Sequence, residues 1–129
     1  MKSEKFTIKS REAIADAQRL AERLGNPEVR CGHVLGSLMQ QDGGVVPSLM
    51  KTIGVSVDLF SGEVAKLIEN YSKVSGGSRP RLARDLETAL DVAERETKKL
   101  GDSHISTELI LLGIACGTSQ AGQLLKDYG

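Results

Sequence analysis

The thiols and imidazoles of this chain, the side chains best suited to hold a soft metal or to pair as nucleophile and base, are four: Cys31, His33, His104 and Cys116. Together they suggest a soft-metal site or a thiol–imidazole pair. Their spacing serves neither. Cys31 and His33 are two residues apart at the start of a helical stretch, and at about 100° per residue their side chains diverge by about 200°. Neither CxxC nor HxxxH occurs. Phosphate chemistry also lacks its cradle, because the sequence has no GxxxxGK[ST] and no GxGxxG. We expect no catalytic residue, no metal site and no cofactor in this segment, and a buried, hydrogen-bonded role for His33.

Composition narrows the classes further. The chain has 129 residues, 40% hydrophobic and 26% charged, the balance of one globular domain. Aromatics make up only 3%, so the core must be aliphatic. Seventeen basic residues offset seventeen acidic ones, which leaves no global field to steer the domain toward nucleic acid or an anionic membrane. No apolar run is long enough for a membrane span, and the N-terminal MKSEKFTIKSREA lacks a signal peptide's apolar stretch. A cytoplasmic setting with reduced thiols is expected.

The elements that must position these residues read as helical throughout. Thr7 caps a first helix whose apolar residues Ala13, Ile14, Ala17, Leu20, Ala21 and Leu24 recur at three- and four-residue steps, and Gly25-Asn26-Pro27 stops it. A short helix runs from about Cys31 to Gln41. Pro47 opens another, through Leu49, Met50 and Ile53 to Gly54. Ser56 caps a fourth, with Val57, Phe60, Val64, Leu67, Ile68 and Tyr71 as its stripe. Residues 73–80, with Gly76-Gly77 at their centre, read as a linker and are expected to be the most mobile internal segment. A long helix to Leu100 follows, then a short one from Ser106 to Cys116 and a last one before Gly129.

These elements repeat. At an offset of 76 residues Ala13 falls on Ala89, Ala17 on Ala93, Leu24-Gly25 on Leu100-Gly101, Val29 on Ile105 and Leu35 on Leu111. One residue later in register, Leu49-Met50-Lys51 falls on Leu124-Leu125-Lys126 and Ile53-Gly54 on Tyr128-Gly129. The expected fold is therefore all-α: a single domain, 1–129, built from two pseudo-symmetric repeats, 1–72 and 81–129, of four and three helices. Each is too small to bury its stripes alone.

Apolar residues also stand where no core needs them. Val92 lies about 240° around the helix axis from Leu86 and points away from the stripe. The run Leu109-Ile110-Leu111-Leu112 cannot face one core, so Leu109 or Leu112 must reach an edge or a groove. Their repeat partners differ in kind: Val92 pairs with Asp16 and Leu109 with His33.

The pattern F-T-x(5)-A-x(3)-A-x(6)-LG, then V-x(3)-H-V-L-x(2)-L and GG-x(4)-L-M-K-x-IGV, with the second pass A-x(3)-A-x(6)-LGDSHISTELILLGI and LLKDYG, resembles the N-terminal double-repeat domain of the Clp family of ATP-driven unfoldases. The match runs from Phe6 to Gly129. Gly43-Gly44, the linker glycines and GDSHIST-E at Gly101 to Glu108 are most similar to the ClpB-type disaggregases. The resemblance implies a domain without ATPase activity, mobile above a homohexameric AAA+ ring, that engages unfolded or aggregated polypeptide through an apolar groove. The groove residues and polar neighbours it implies are Leu90, Val92, Leu109, Thr7, Asp102 and Glu108. ATP is expected only for AAA+ modules elsewhere in a parent protein, and the isolated domain is expected to be a monomer. Such relatives continue into an eighth helix and Walker motifs, so an N-domain separated from its ring is expected. ClpC-type relatives carry Thr-Glu-His in both repeats, where phosphorylated arginine can bind; here Cys31-Gly32-His33 and Thr107-Glu108-Leu109 break that symmetry. The alternative implied is docking of folded adaptor proteins, as in the ATPase subunit of a Clp protease.

Overall fold

The computed structural model describes residues 3–74 and 79–128. A short 3-10 turn at Ser3–Lys5 leads into α1 (Ile8–Arg23), followed by β1 (Glu28–Val29), α2 (Cys31–Met39), α3 (Val45–Thr52) and α4 (Val57–Glu69). The second half runs β2 (Arg81–Leu82), α5 (Arg84–Lys99), α6 (Thr107–Cys116) and α7 (Gln120–Asp127). Apart from the two-residue strands the fold is helical, as the periodicity predicts.

The helix starts follow local chemistry. The Thr7 side chain accepts from the Ser10 N–H, and Ser56 does the same for Leu59. Gly25 and Gly101, one repeat apart, both stop their helices at φ 74°, a left-handed conformation in which a Cβ would be strained. α3 begins at Val45, two residues before Pro47, because a proline within the first turn gives up an N–H that has no helical partner.

α2 and α6 form the centre. Both are buried on nearly every side: Val34, Leu35 and Leu38 from α2 and Ile110 and Ile114 from α6 are at or near zero exposure, each contributing about 1.5–3 kcal/mol of burial. α1 packs its alanine face, Ala13, Ala17 and Ala21, onto α2. α5 packs Leu86, Ala89, Leu90 and Ala93 around α6. A Cβ on Gly113 would collide with the Ala89 carbonyl, so the α5–α6 approach depends on that glycine. The end of the stripe moves off the core in both long helices, by different amounts. Leu24 is half-buried and Leu100 is 65% exposed, since each follows the last helical residue and has turned off the buried face.

The two repeats are joined by short parallel pairings absent from the periodicity. β1 pairs with β2 in the register Glu28↔Arg81 and Val29↔Leu82, and Phe6 bridges Ile105. At the repeat offset Phe6 corresponds to Leu82 and Val29 to Ile105, so these are the same contact made twice. In each, the segment entering one repeat's long helix lies against the segment entering the other repeat's central helix. The hydrogen bonds match: Thr7 N–H to Ile105 C=O at 3.0 Å, and Ala83 N–H to Val29 C=O at 2.9 Å. Residues 75–78 of the expected linker lie outside the described residues. Of its flanks, Val74 donates to the Gly25 carbonyl at 2.8 Å, and Pro27 accepts from Arg81 at 3.2 Å just beyond.

Candidate functional site

A largely apolar concavity lies where α3, α6 and α7 meet and encloses about 370 Å³. Met50 and Val55 give its inner wall on the α3 side, and Leu109 and Leu111, each 8% exposed, give it on α6. The rim holds apolar side chains the core does not cover: Leu49 at 37%, Ile53 at 58%, Leu112 at 40% and Tyr128 at 39% exposure. Among the described residues Glu108 is the only charged group in the lining. Its place in the first turn of α6 complements the helix dipole, and it is exposed. Scattered surface aliphatics are ordinary, but four on the rim of one concavity form an apolar patch of the kind that marks a binding site.

A second groove, of about 320 Å³, lies on the face between α1 and α5. Phe6 and Leu82, and Ile14 and Leu90, are repeat-equivalent pairs, so this groove straddles the pseudo-two-fold, with Arg11 and Gln18 on its α1 side.

The six residues marked by family resemblance are not brought together. Glu108 and Leu109 line the α3/α6/α7 groove, while Leu90, at 2% exposure, belongs to the core and to the wall of the α1/α5 groove. Val92 is half-buried on α5, turned from the core stripe as the helix geometry predicts, and lies in neither groove. Thr7 is occupied as the α1 cap, its hydroxyl also donating to Ser10 Oγ at 2.9 Å. Asp102 is an exposed turn residue whose N–H closes the end of α5 on the Thr97 carbonyl.

Residues 5–128 match the Clp repeat (R) N-terminal domain family. The chain belongs to that family. Curated relatives include the chaperone protein ClpB of Mycobacterium leprae, 34% identical over 124 residues, and that of Bdellovibrio bacteriovorus, 38% identical over 123. These matches take in 95% and 94% of the chain but only 15% and 14% of the relatives, so the chain spans about one seventh of their length. Among solved structures, the Hsp104 N-terminal domain from Candida albicans superposes with a TM-score of 0.85 at 18% identity, covering 95% of this chain and 80% of that one. A complex of the ClpV N-domain with a VipB peptide gives 0.80 at 22%, covering 95% and 78%.

In this Clp N-terminal domain two of the four groups that first suggested chemistry, His33 and Cys31, are locked into structure, while His104 and Cys116 are exposed. His33 is fully buried; its Nδ1 accepts from the Arg30 N–H at 2.9 Å, so Nε2 carries the proton and donates to Asn26 Oδ1 at 2.8 Å. Asn26 passes the chain on by donating to the Ser72 carbonyl at 2.9 Å, tying the turn after α1 to the end of the first repeat. Burial, with the Arg30 guanidinium second, lowers the His33 pKa to about 4, so the ring is neutral at physiological pH. Burial likewise pushes the Cys31 thiol up to about 12, aided by the Asp85 carboxylate, which leaves no thiolate for nucleophilic work. Cys116 is exposed. Among the described residues no three His, Cys, Asp or Glu side chains come together as a metal site. No helix among the described residues is long and apolar enough to cross a membrane.

The groove residues that sequence reasoning missed are on α3 and α7. Leu49 and Ile53 look like core positions in a short amphipathic helix, yet of that apolar set only Met50 is buried. The available signal was the repeat itself: Ile53 aligns with Tyr128, against which Phe60 of α4 packs edge-on.

Proposed function

We propose that this domain is a client-engaging module of a ClpB-type, ATP-driven chaperone, and that apolar segments of unfolded or aggregated polypeptide seat in the α3/α6/α7 groove. The observation that carries the proposal is the rim of Leu49, Ile53, Leu112 and Tyr128 around a concavity of about 370 Å³. Leu109 and Leu111 supply the apolar wall and Glu108 the one charge; Leu90, Val92, Thr7 and Asp102 are assigned no contact with client in this groove. The segment itself does no chemistry and needs no cofactor. In the proposed parent, ATP is consumed by AAA+ modules in a cytoplasmic homohexamer, and the domain alone is a monomer.

The second reading is docking of a defined protein partner such as an adaptor. It is favoured by the likeness to a ClpV N-domain solved with a VipB peptide. Titrating the domain with a permanently unfolded model protein, and separately with folded Clp adaptors, distinguishes the two. The client reading requires binding of the unfolded protein that is lost in Leu112→Glu; binding of a folded adaptor alone overturns it.

A further inference from the structure

The two repeats differ at a third concavity, which shares no lining residue with either apolar groove. It encloses about 270 Å³ between the start of α5 and the corner joining α6 to α7. Asp85 and Thr88 line one side, and Gly117, Thr118 and Ser119 the other. In the first repeat the corresponding place is filled. At the offset of 76 residues Asp85 corresponds to Lys9 and Gly117 to Gln41. The Gln41 carboxamide donates to the Lys9 carbonyl at 2.9 Å, and its Oε1 lies 3.4 Å from where a Cβ on Gly44 would stand. Gly44, at the offset of 75, corresponds to Ser119, and the two residues cap α3 and α7.

Three differences therefore fall on one spot. Glycine in place of Gln41 removes the carboxamide and keeps the space open. The backbone does not demand it: Gly117 has φ −86° and ψ 178°, open to any residue, and a Cβ there would meet the Ile114 and Gly113 carbonyls at 3.5 and 3.6 Å, ordinary contact. Aspartate in place of Lys9 substitutes an acceptor for a donor. Asp85 Oδ1 is buried and takes no hydrogen bond among the described residues, the Cys31 thiol beside the carboxylate being a weak donor. A buried acceptor in that state is costly, and a ligand N–H relieves it. Serine in place of Gly44 adds a hydroxyl, whose oxygen accepts from the Gly122 N–H at 3.0 Å and whose proton can still donate.

We infer that this cavity binds a primary carboxamide, the head group of glutamine, where the first repeat seats its own Gln41. One amide N–H reaches the Asp85 backbone carbonyl, as Gln41 reaches that of Lys9, the other N–H meets Asp85 Oδ1, and the amide oxygen accepts from the Ser119 hydroxyl. An uncharged head suits the lining, in which Arg84 offsets Asp85. The walls are fixed before a ligand arrives. A Cβ on Gly113 would collide with the Ala89 carbonyl and one on Gly122 with the Ile114 carbonyl, while Lys126 Nζ donates to the Gly117 carbonyl at 2.9 Å. The inference is independent of what occupies the α3/α6/α7 groove.

The test is a titration of the nitrogen-15-labelled domain, followed by amide chemical shifts, with N-acetylglutamine methylamide as the probe. Saturable shifts at Gly117, Thr118 and Ser119 are expected, and N-acetylglutamate methylamide, which lacks the side-chain N–H donors, should bind at least tenfold more weakly. Gly117→Gln supplies the carboxamide from the chain itself and should abolish the shifts at Thr118 and Ser119 while the thermal midpoint holds or rises. Asp85→Ala should weaken binding at least fivefold, and it decides the matter if Gly117→Gln does not fold. Free glutamine is the second probe. Binding at least as tight as that of the blocked form assigns the ligand to the free amino acid, weaker binding assigns it to a glutamine side chain of a polypeptide, and both support the site. No saturable shift with either probe, or binding unchanged in the variants, overturns the inference. Tighter binding of N-acetylarginine methylamide than of the glutamine probe makes this a cation site and overturns it too.

Discussion

Replacing Ile53 by serine separates binding from folding in this domain. Ile53 follows the last residue of α3 and is 58% exposed on the groove rim. Fully burying such a side chain is worth about 1.5–3 kcal/mol, so covering the exposed part is worth about 1 kcal/mol, or about fivefold in affinity. Because little of the side chain is buried in the free domain, the substitution should change unfolding free energy by about 0.5 kcal/mol or less. Leu109→Ser is the contrast. At 8% exposure Leu109 is already packed, and its truncation should cost about 2–3 kcal/mol of stability, comparable with the lower end of the cost for Ile114→Ala at a fully buried site. Urea unfolding supplies the stability change, and anisotropy titration with a permanently unfolded protein supplies the affinity. Ile53→Ser binding as tightly as the parent would remove the rim from the site. If it unfolds as readily as Ile114→Ala, the exposure on which the reasoning rests is wrong.

Three further outcomes are expected. The His33 pKa is lower in the folded domain, about 4, than its ordinary 6.5, so its contribution to stability is present above pH 6.5 and is lost as the pH falls toward 4. About 2 kcal/mol should disappear between pH 7 and pH 5; urea midpoints in His33→Leu should show a flatter dependence, and an equal slope would contradict the buried neutral imidazole. Gly113→Ala places a methyl group against the Ala89 carbonyl and should cost about 1–3 kcal/mol by forcing α5 from α6, read as a lowered thermal midpoint. Thr7→Ala removes a helix cap and should cost about 1 kcal/mol while leaving affinity for unfolded protein unchanged, so a selective loss of binding would restore Thr7 to the site.

Most of the helical framework was legible in the sequence because its signals are local. The caps at Thr7 and Ser56 and the stops at Gly25 and Gly101 depend on a side chain or a backbone preference within a few residues, and each stands where expected. Pro47 misled by two residues, since proline is tolerated anywhere in a first turn. The parallel pairings were invisible, because two-residue strands show no alternation and Phe6 and Ile105 are brought together by topology alone. At the groove, the run from Leu109 to Leu112 announced excess apolar surface, while Leu49 and Ile53 were indistinguishable from core because periodicity within α3 does not say what stands over that helix. Leu90 illustrates the limit of periodicity, which gives a direction around a helix but not what stands opposite; here that is the core, with one edge on the α1/α5 groove.

The doubled pairing of Phe6 with Ile105 and Val29 with Leu82 also bears on how such a domain arises. A single ancestral repeat would possess both halves of this contact, the leading segment and the segment before its central helix, yet in the present geometry neither half meets its own repeat. Two identical copies would satisfy both contacts at once, the leading segment of each meeting the other's segment before the central helix across a two-fold axis, which is the definition of an isologous dimer. Joining the copies in one polypeptide removes the concentration dependence of that association and frees each half to diverge. One repeat then carries Gly36 and the other Leu112 at the same place, an asymmetry that an obligate symmetric dimer cannot acquire by mutation of its single gene.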